Sequence, residues 1–350
     1  MAIFRTEHAD VQYAIESTWG ERSSGTWRRF GLHEQVTVPD PTQAWYPFYG
    51  AGAGRNRLTI LRGRWEFKGS IPNIKVVPEL SGNLLSLPIG HLSGDQIIEG
   101  LTIHDEEVQS FSLQVAMRDT NGTYSLIREY YGGKVNRATL SAHEGEEVQV
   151  SLDDVSFKDI AHNLVGVNKY SSSVGYSAPT NPSANRFMFA GGTLQFFGQK
   201  IARISSMSLS IDNNIQTKYY VNASGDPTNY SQVPNALIEG RRVYQMQVQF
   251  DLGDPSTDLL LFKYLMNESA ASAGGASTGG QIVMSFALAT GSGSGEMIIT
   301  TSPNGATSAA PGTVVTSGNI SIPSPENGLF PSTWNFSIDS LSITVPGSQI

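Results

Sequence analysis

Six histidines, a few acidic clusters and no cysteine are what this chain offers for chemistry. His8, His33, His91, His104, His143 and His162 contain no pair at a metal-ligand spacing such as HxxxH. His104 adjoins Asp105, Glu106 and Glu107, and His143 adjoins Glu144, Glu146 and Glu147. Both clusters fall in expected turns, where such charges are simply solvated. Asp153, Asp154, Asp251 and Asp254 are carboxylates of the type a glycosidase pairs. Asp254, however, stands before Pro255 and reads as a helix cap followed by proline at the first helical position. The GAGAG run at 50–54 lacks the strand-to-helix setting of a phosphate loop, and no GxSxG, P-loop or kinase set is present. Without cysteine there are no disulfides, thiolate metal sites or cysteine nucleophiles. No residue is nominated as catalytic, cofactor-binding or metal-binding, and the expectation is a non-enzyme that needs no cofactor.

The informative pattern is structural. In Val243–Met266, the residues Tyr244, Met246, Val248, Phe250 and Leu252 alternate with Gln245, Gln247, Gln249 and Asp251. That is a strand with one buried face. Leu259, Phe262, Leu265 and Met266 then recur at helical spacing, predicting a short helix with one apolar stripe. The same unit occurs earlier. Leu61, Trp65 and Phe67 alternate with Arg62, Arg64, Glu66 and Lys68, and Val77, Leu80, Leu84 and Leu87 follow at helical spacing up to Pro88 and Gly90. Phe67 is aligned with Phe250 and Pro78 with Pro255, so the chain reads as a duplication.

The totals agree. A length of 350 residues favours two domains. Only 15 % of residues are charged, Gly numbers 36, and turn-forming residues are frequent, as in an all-β protein. The formal net charge of −8 argues against a general phosphate-binding surface. It suits a surface past which a polyanion slides without sticking. The opening MAIFRTEHAD is charged early and is not expected to be a signal peptide, and no apolar run is long enough to span a bilayer.

In chain order, residues 9–30 are expected to be extended with a turn at Gly20, and Leu32–Val38 to be a strand. Residues 42–56 are expected to be a loop carrying Trp45, Tyr46, Phe48 and Tyr49, packed on its own domain or on a neighbouring subunit. From residue 107 a meander is predicted, with turns at Asn121-Gly122, Gly132-Gly133 and His143–Glu146. The domains are expected at 1–167 and 187–350, joined by the Ser-, Asn- and Pro-rich linker 168–186. The second starts with strands at Phe187–Phe197 and Ile201–Asn213 and a polar excursion at Asn214–Leu237. Strands follow at Ile282–Ala289, Glu296–Thr301, Asn319–Ile322 and Trp334–Val345, the last slipping phase near Asp339. Residues 269–280 and 302–313 read as loops, and the former is expected to rearrange on assembly.

The opening YAIESTWGE (13–21) is similar to the start of the major tail tube proteins of long-tailed bacteriophages. The block FMFAGGTLQFFGQKIARISSMSLSIDNN (187–214), leading into a long loop and then the strand and helix of 243–266, resembles that family more closely. The long inserts at 269–280 and 290–315 depart from its pattern. The resemblance implies an all-β protein with a minor helical part: two tandem antiparallel β-sandwich or barrel domains, each with a short flanking α-helix. It implies a structural virion subunit, made in the host cytoplasm, that self-assembles into stacked rings around a lumen for DNA. Two domains per chain imply a trimeric, pseudo-hexameric ring. Implied partners are further copies of the chain, the tape measure, the tail tip or initiator, the tail terminator, and DNA held without specific binding, with no membrane. Gln245, Gln247, Gln249 and Asp251 are candidates for the lumen wall, although ordinary solvent exposure or a subunit contact accounts for them equally. Trp45, Tyr46, Phe48, Tyr49, Lys218, Tyr219 and Tyr220 are candidates for subunit or ring contacts. The alternative is a carbohydrate- or receptor-binding β-sandwich whose exposed aromatics stack on sugars.

Overall fold

The computed structural model describes residues 9–31, 36–49, 59–99, 108–118, 124–162, 175–176, 185–201, 204–220, 233–251, 261–263, 265–266, 280–288, 295–303, 312–320 and 330–345. The first half contains β1 (Ala9–Ile15), β2 (Arg28–Arg29), β3 (Pro41–Phe48), β4 (Thr59–Lys75), helix α1 (Pro78–Ile89), β5 (His91–Ser93) and β6 (Gln96–Ile98). It continues with β7 (Phe111–Arg118), β8 (Tyr124–His143), β9 (Gln149–Phe157) and β10 (Asp159–His162). The second half contains β11 (Phe187–Phe196), β12 (Gln199–Ile201), β13 (Ile204–Asp212), β14 (Gln216–Lys218), β15 (Ala236–Ile238) and β16 (Val243–Asp251). It ends with β17 (Ile282–Leu288), β18 (Met297–Thr301), β19 (Val314–Ile320), β20 (Pro331–Ile338) and β21 (Leu341–Thr344). The protein is all-β with a minor helical part.

Each half pairs its strands in the same way. In the first, one layer runs β2-β1-β7-β8-β10 and the other β3-β4-β9-β8, with β8 long enough to serve both. In the second, one layer runs β12-β11-β17-β18-β21 and the other β13-β16-β20-β19. Here β18 and β19 are separate strands that together do the work of β8. The correspondence extends to single residue pairs. Tyr46↔Leu61, Pro47↔Ile60 and Phe48↔Thr59 in the first half match Gln216↔Ile238, Thr217↔Leu237 and Lys218↔Ala236 in the second. Pro41↔Phe67 likewise matches Ile211↔Tyr244. Phe67 is therefore the counterpart of Tyr244, not of Phe250, because it is Tyr244 that shares its position in the pairing.

The core lies between the layers. Tyr13 and Phe111 of one layer meet Phe30 and Phe157, with Phe111 edge-on to Phe157 at 5.5 Å. In the second half Phe196 stacks on Phe336 at 5.1 Å. Burial of such rings is worth roughly 2–3 kcal/mol each, and these apolar clusters merge into one that runs through both halves. Helix α1 starts at Pro78, buries Leu84, Leu85, Leu87 and Ile89, and ends where the Gly90 N–H meets the Ser86 carbonyl. Pro88 lies inside its last turn rather than stopping it.

Several sequence expectations are revised. The aromatic run 42–49 is strand β3, paired with an extended β4, rather than a loop. Gly132-Gly133 makes no turn: β8 runs straight through it, with Gly132 at φ 64 and no room for a Cβ beside Lys158. Residues 314–320 form β19. The predicted strand 334–345 is two strands in different layers, separated at Asp339 and Ser340. Of the second helix, Leu261–Lys263 are helical, with Leu261 buried and Leu265 against the core while Phe262 and Met266 are exposed. The apolar stripe is thus turned from the one expected. Leu252, Asp254, Pro255, Leu259, the Asn121-Gly122 turn, His104 and its acidic neighbours, GAGAG, and residues 269–279 lie outside the described residues, as do Leu32–Gln35 of the strand expected before β3.

Candidate functional site

Three features stand out: a seam between the halves, two free strand edges, and a polar face along one layer. At the seam β8 pairs with β13, with Leu209 opposite Leu140, Ser208 opposite Ser141 and Ile211 opposite Ala138. This joins the two four-strand layers into one run, β3-β4-β9-β8-β13-β16-β20-β19. The other layer is shared as well, because β5-β6 of the first half extends the second through Ser342↔Ile98.

Polar contacts lock the seam. The buried Asn213 amide donates to the carbonyls of Pro88 at 3.0 Å and Val135 at 2.8 Å, and its oxygen accepts from Arg242 at 2.8 Å. It thereby ties the end of α1, strand β8 and the residue before strand β16 together. Lys134 meets Glu239 at 2.6 Å, and Glu239 also accepts the Val108 N–H. Glu147 bridges Lys75 of the first half and Arg186 of the second, and the Lys75 hydrogen bond is the main reason its carboxyl sits below the usual range.

At the ends of the eight-strand run the edges carry no strand partner among the described residues. One is β19, whose residues from Thr316 to Ile320 are all exposed. Its counterpart β8 alternates buried and open because β13 covers it. The other edge is β3 with the segment before it, where Thr37 bridges Ser70 and Val36 and Val38 pack on the core.

Beyond the seam both halves send out a hairpin arm from the same end: β3 with the first part of β4, and β14 with β15. The arms touch. The Tyr219 hydroxyl donates to the Trp65 carbonyl at 2.6 Å, and the Arg64 guanidinium lies 5.1 Å from the Tyr219 ring centre. Desolvation is the main cause that pushes the Tyr219 hydroxyl up to about 12. On the first arm Trp45, Tyr46, Phe48 and Tyr49 are 54–67 % exposed, and on the second Tyr220 is 55 % exposed and Lys218 half-buried.

The polar face is the side of the eight-strand run turned away from the core. Gln245, Gln247 and Gln249 are exposed and Asp251 half-buried, opposite Ser210, Ser208 and Ser206 on β13. Gln247 donates to Asn335 at 3.1 Å, and Asn335 to Ser317 at 2.8 Å, a side-chain ladder over three strands. Two ion pairs lie on this face, Arg137 with Asp212 at 3.4 Å and Arg64 with Glu66 at 3.6 Å, and Lys68 of β4 is exposed on it. Asp153 accepts from Thr139 at 2.7 Å, and partial burial raises its pKa. The face offers hydrogen bonds, and among the described residues it has no acid–base pair poised over a cleft. Among the described residues no group of three or more His, Cys, Asp or Glu is placed to hold a metal.

The structure thus brings the glutamines onto one wall and the two sets of candidate contact residues onto adjoining arms. Sequence reading missed the two free edges and the contact of Arg64 with Tyr219. The long apolar alternation on both sides of Gly132-Gly133 was the signal that one strand serves two layers.

A family model for phage tail tube proteins matches residues 6–323. Comparison with curated protein sequences finds no match. The match runs through both halves and both arms, and the chain belongs to the phage tail tube protein family, as a structural component of the virion.

Proposed function

We propose that three copies of this chain close into a ring that is threefold by chain and nearly sixfold by repeat, and that rings stack into the hollow tube through which DNA leaves. The observation that carries this is the seam inside one chain. Equivalent edges are already paired there, and the same two kinds of edge are left over at the ends of the run. Repeating the internal pairing between chains sets β19 of one against residues 36–41 of the next. A heterologous contact of this kind closes when its rotation divides the circle, and closure removes the edges that an all-β subunit must otherwise protect.

The register follows from the template. Leu209 lies opposite Leu140 in the seam, and Val38 and Ile320 hold the corresponding positions on the free edges. Leu140 is 2 % exposed and Ile320 40 %, as expected of one site that is covered and one that awaits cover. The polar face then lines the lumen. Along β13, β16 and β20 this wall is made of neutral amide and hydroxyl groups, which give phosphates nothing to condense on, while β4 adds the exposed Arg64 and Lys68. The tape measure, the tail tip or initiator and the terminator are the partners such a tube needs inside and at its ends.

The test uses the lack of cysteine. Val38→Cys and Ile320→Cys chains, assembled together and oxidised, should form an interchain disulfide, since residues directly opposite in an antiparallel pair lie within disulfide reach. Electron microscopy of the same material should show hollow tubes with three chains per ring. Tubes in which these positions never cross-link would exclude this closure.

A further inference from the structure

We propose that Tyr49 of one chain lies on Arg241 of the next copy in the ring, so that the aromatic arm is a lateral clasp between neighbouring chains. The inference deepens the ring reading above and rests on it. Inside the chain the clasp already exists once, where Tyr219 covers Arg64 and donates to the main-chain oxygen of Trp65. The arm registers identify the counterparts. Lys218 and Phe48 hold the same place in their hairpins, so the residues just beyond them, Tyr219 and Tyr49, correspond. Tyr244 and Phe67 correspond on the returning strands, so Arg241 matches Arg64 and Arg242 matches Trp65. Both the aromatic and the cationic half of the contact are therefore present a second time, in one chain, on arms that face opposite neighbours.

Their exposure separates the two instances. Tyr219 is half-buried under the contact, while Tyr49 is 67 % exposed and Arg241 is exposed. The occupant is a second copy because the edge pairing places the second arm of one chain beside the first arm of its neighbour. Trp45, Tyr46 and Phe48, each more than half exposed, lie on the same arm and would be covered with Tyr49. A guanidinium over a tyrosine ring gains from the ring quadrupole and gains more as water leaves. The Tyr49 hydroxyl would donate to the Arg242 main-chain oxygen, as Tyr219 does to that of Trp65.

Two cross-links measured side by side decide it. Tyr49→Cys chains are mixed with Arg241→Cys chains, assembled, and treated with a short bis-maleimide. Val38→Cys and Ile320→Cys chains are mixed and oxidised in parallel. The expected result is a covalent dimer in each mixture and in none of the single variants. A Val38–Ile320 link without a Tyr49–Arg241 link would overturn the clasp and leave the ring standing. A Tyr49–Arg241 link alone would place the arm contact outside the ring, for instance between stacked rings, and overturn it as a lateral clasp. Loss of both would overturn ring and clasp together.

Discussion

The two halves of this chain share one pattern of strand pairing but meet different surroundings, and that contrast separates folding contacts from proposed assembly contacts. Strand β8 pairs edge to edge with β13 and buries alternate residues, whereas its counterpart β19 is open from Thr316 onward. Tyr219 is clasped, and Tyr49 is not. One residue type at one position therefore serves folding in one copy and is left over in the other.

The sharpest way to break the comparison is one substitution at two equivalent positions. Leu140→Lys places an ammonium in a dry seam with no partner and should cost more than about 4 kcal/mol, enough to unfold the chain. Ile320→Lys should leave the melting temperature of the monomer unchanged and abolish tubes. Circular dichroism melts and electron microscopy read the two outcomes. A folded Leu140→Lys chain, or an Ile320→Lys chain that still makes tubes, would remove the equivalence on which the ring rests.

Asn213 tests the seam alone. Its side chain is buried and holds the Pro88 and Val135 carbonyls and the Arg242 guanidinium, which also reaches Tyr244 and Glu99. Asn213→Ala should destabilise the chain by about 2–3 kcal/mol, the cost of leaving buried acceptors unpaired. Urea unfolding should show it as a lower midpoint. A midpoint within error of the parent chain would mean that the seam is held by strand pairing only.

The arms give a smaller, matched pair. Tyr219→Phe keeps the ring on Arg64 and loses one hydrogen bond, so chain stability should fall by about 1 kcal/mol. Tyr49→Phe should leave chain stability alone and raise the protein concentration needed for tubes by about fivefold, the same free energy read between chains. Equal effects of both variants on monomer stability would show that the arms serve only the fold.

How much of this was legible beforehand follows from what alternation reports. Period-2 patterning showed the inner strand 243–251 and its glutamine face, because each residue there is either core or surface. It failed at 42–49, where both faces of β3 are open and no alternation exists to read. The duplication was visible as strand plus helix, but aligning Phe67 with Phe250 used residue type where pairing position was needed. The run through Gly132-Gly133 was read as a turn because glycine pairs usually make one. In the fold those glycines let β8 pass close to Lys158 and Phe157 while it crosses between layers. The free edges lie beyond any single-strand pattern, since an edge is defined by the strand that is missing from it.

The weakest tie between the halves has its own signature in pH. Glu147 holds Lys75 at 2.9 Å from the first half and Arg186 from the start of the second. Its pKa in the folded chain is lowered, first by the Lys75 hydrogen bond and then by Arg186, against the opposing pull of desolvation. A group whose folded pKa is depressed contributes stability above its unfolded value, near 4.3 for glutamate, and loses it as pH falls through the folded value. Lys75 and Arg186 are both about 30 % exposed, so the pair should be worth only about 0.5–1 kcal/mol. Glu147→Gln should therefore melt slightly below the parent chain at pH 7, and the two curves should converge as the pH falls below the usual carboxylate range and through the lowered folded value. A gap that persists at low pH would mean that Glu147 acts by packing rather than by charge.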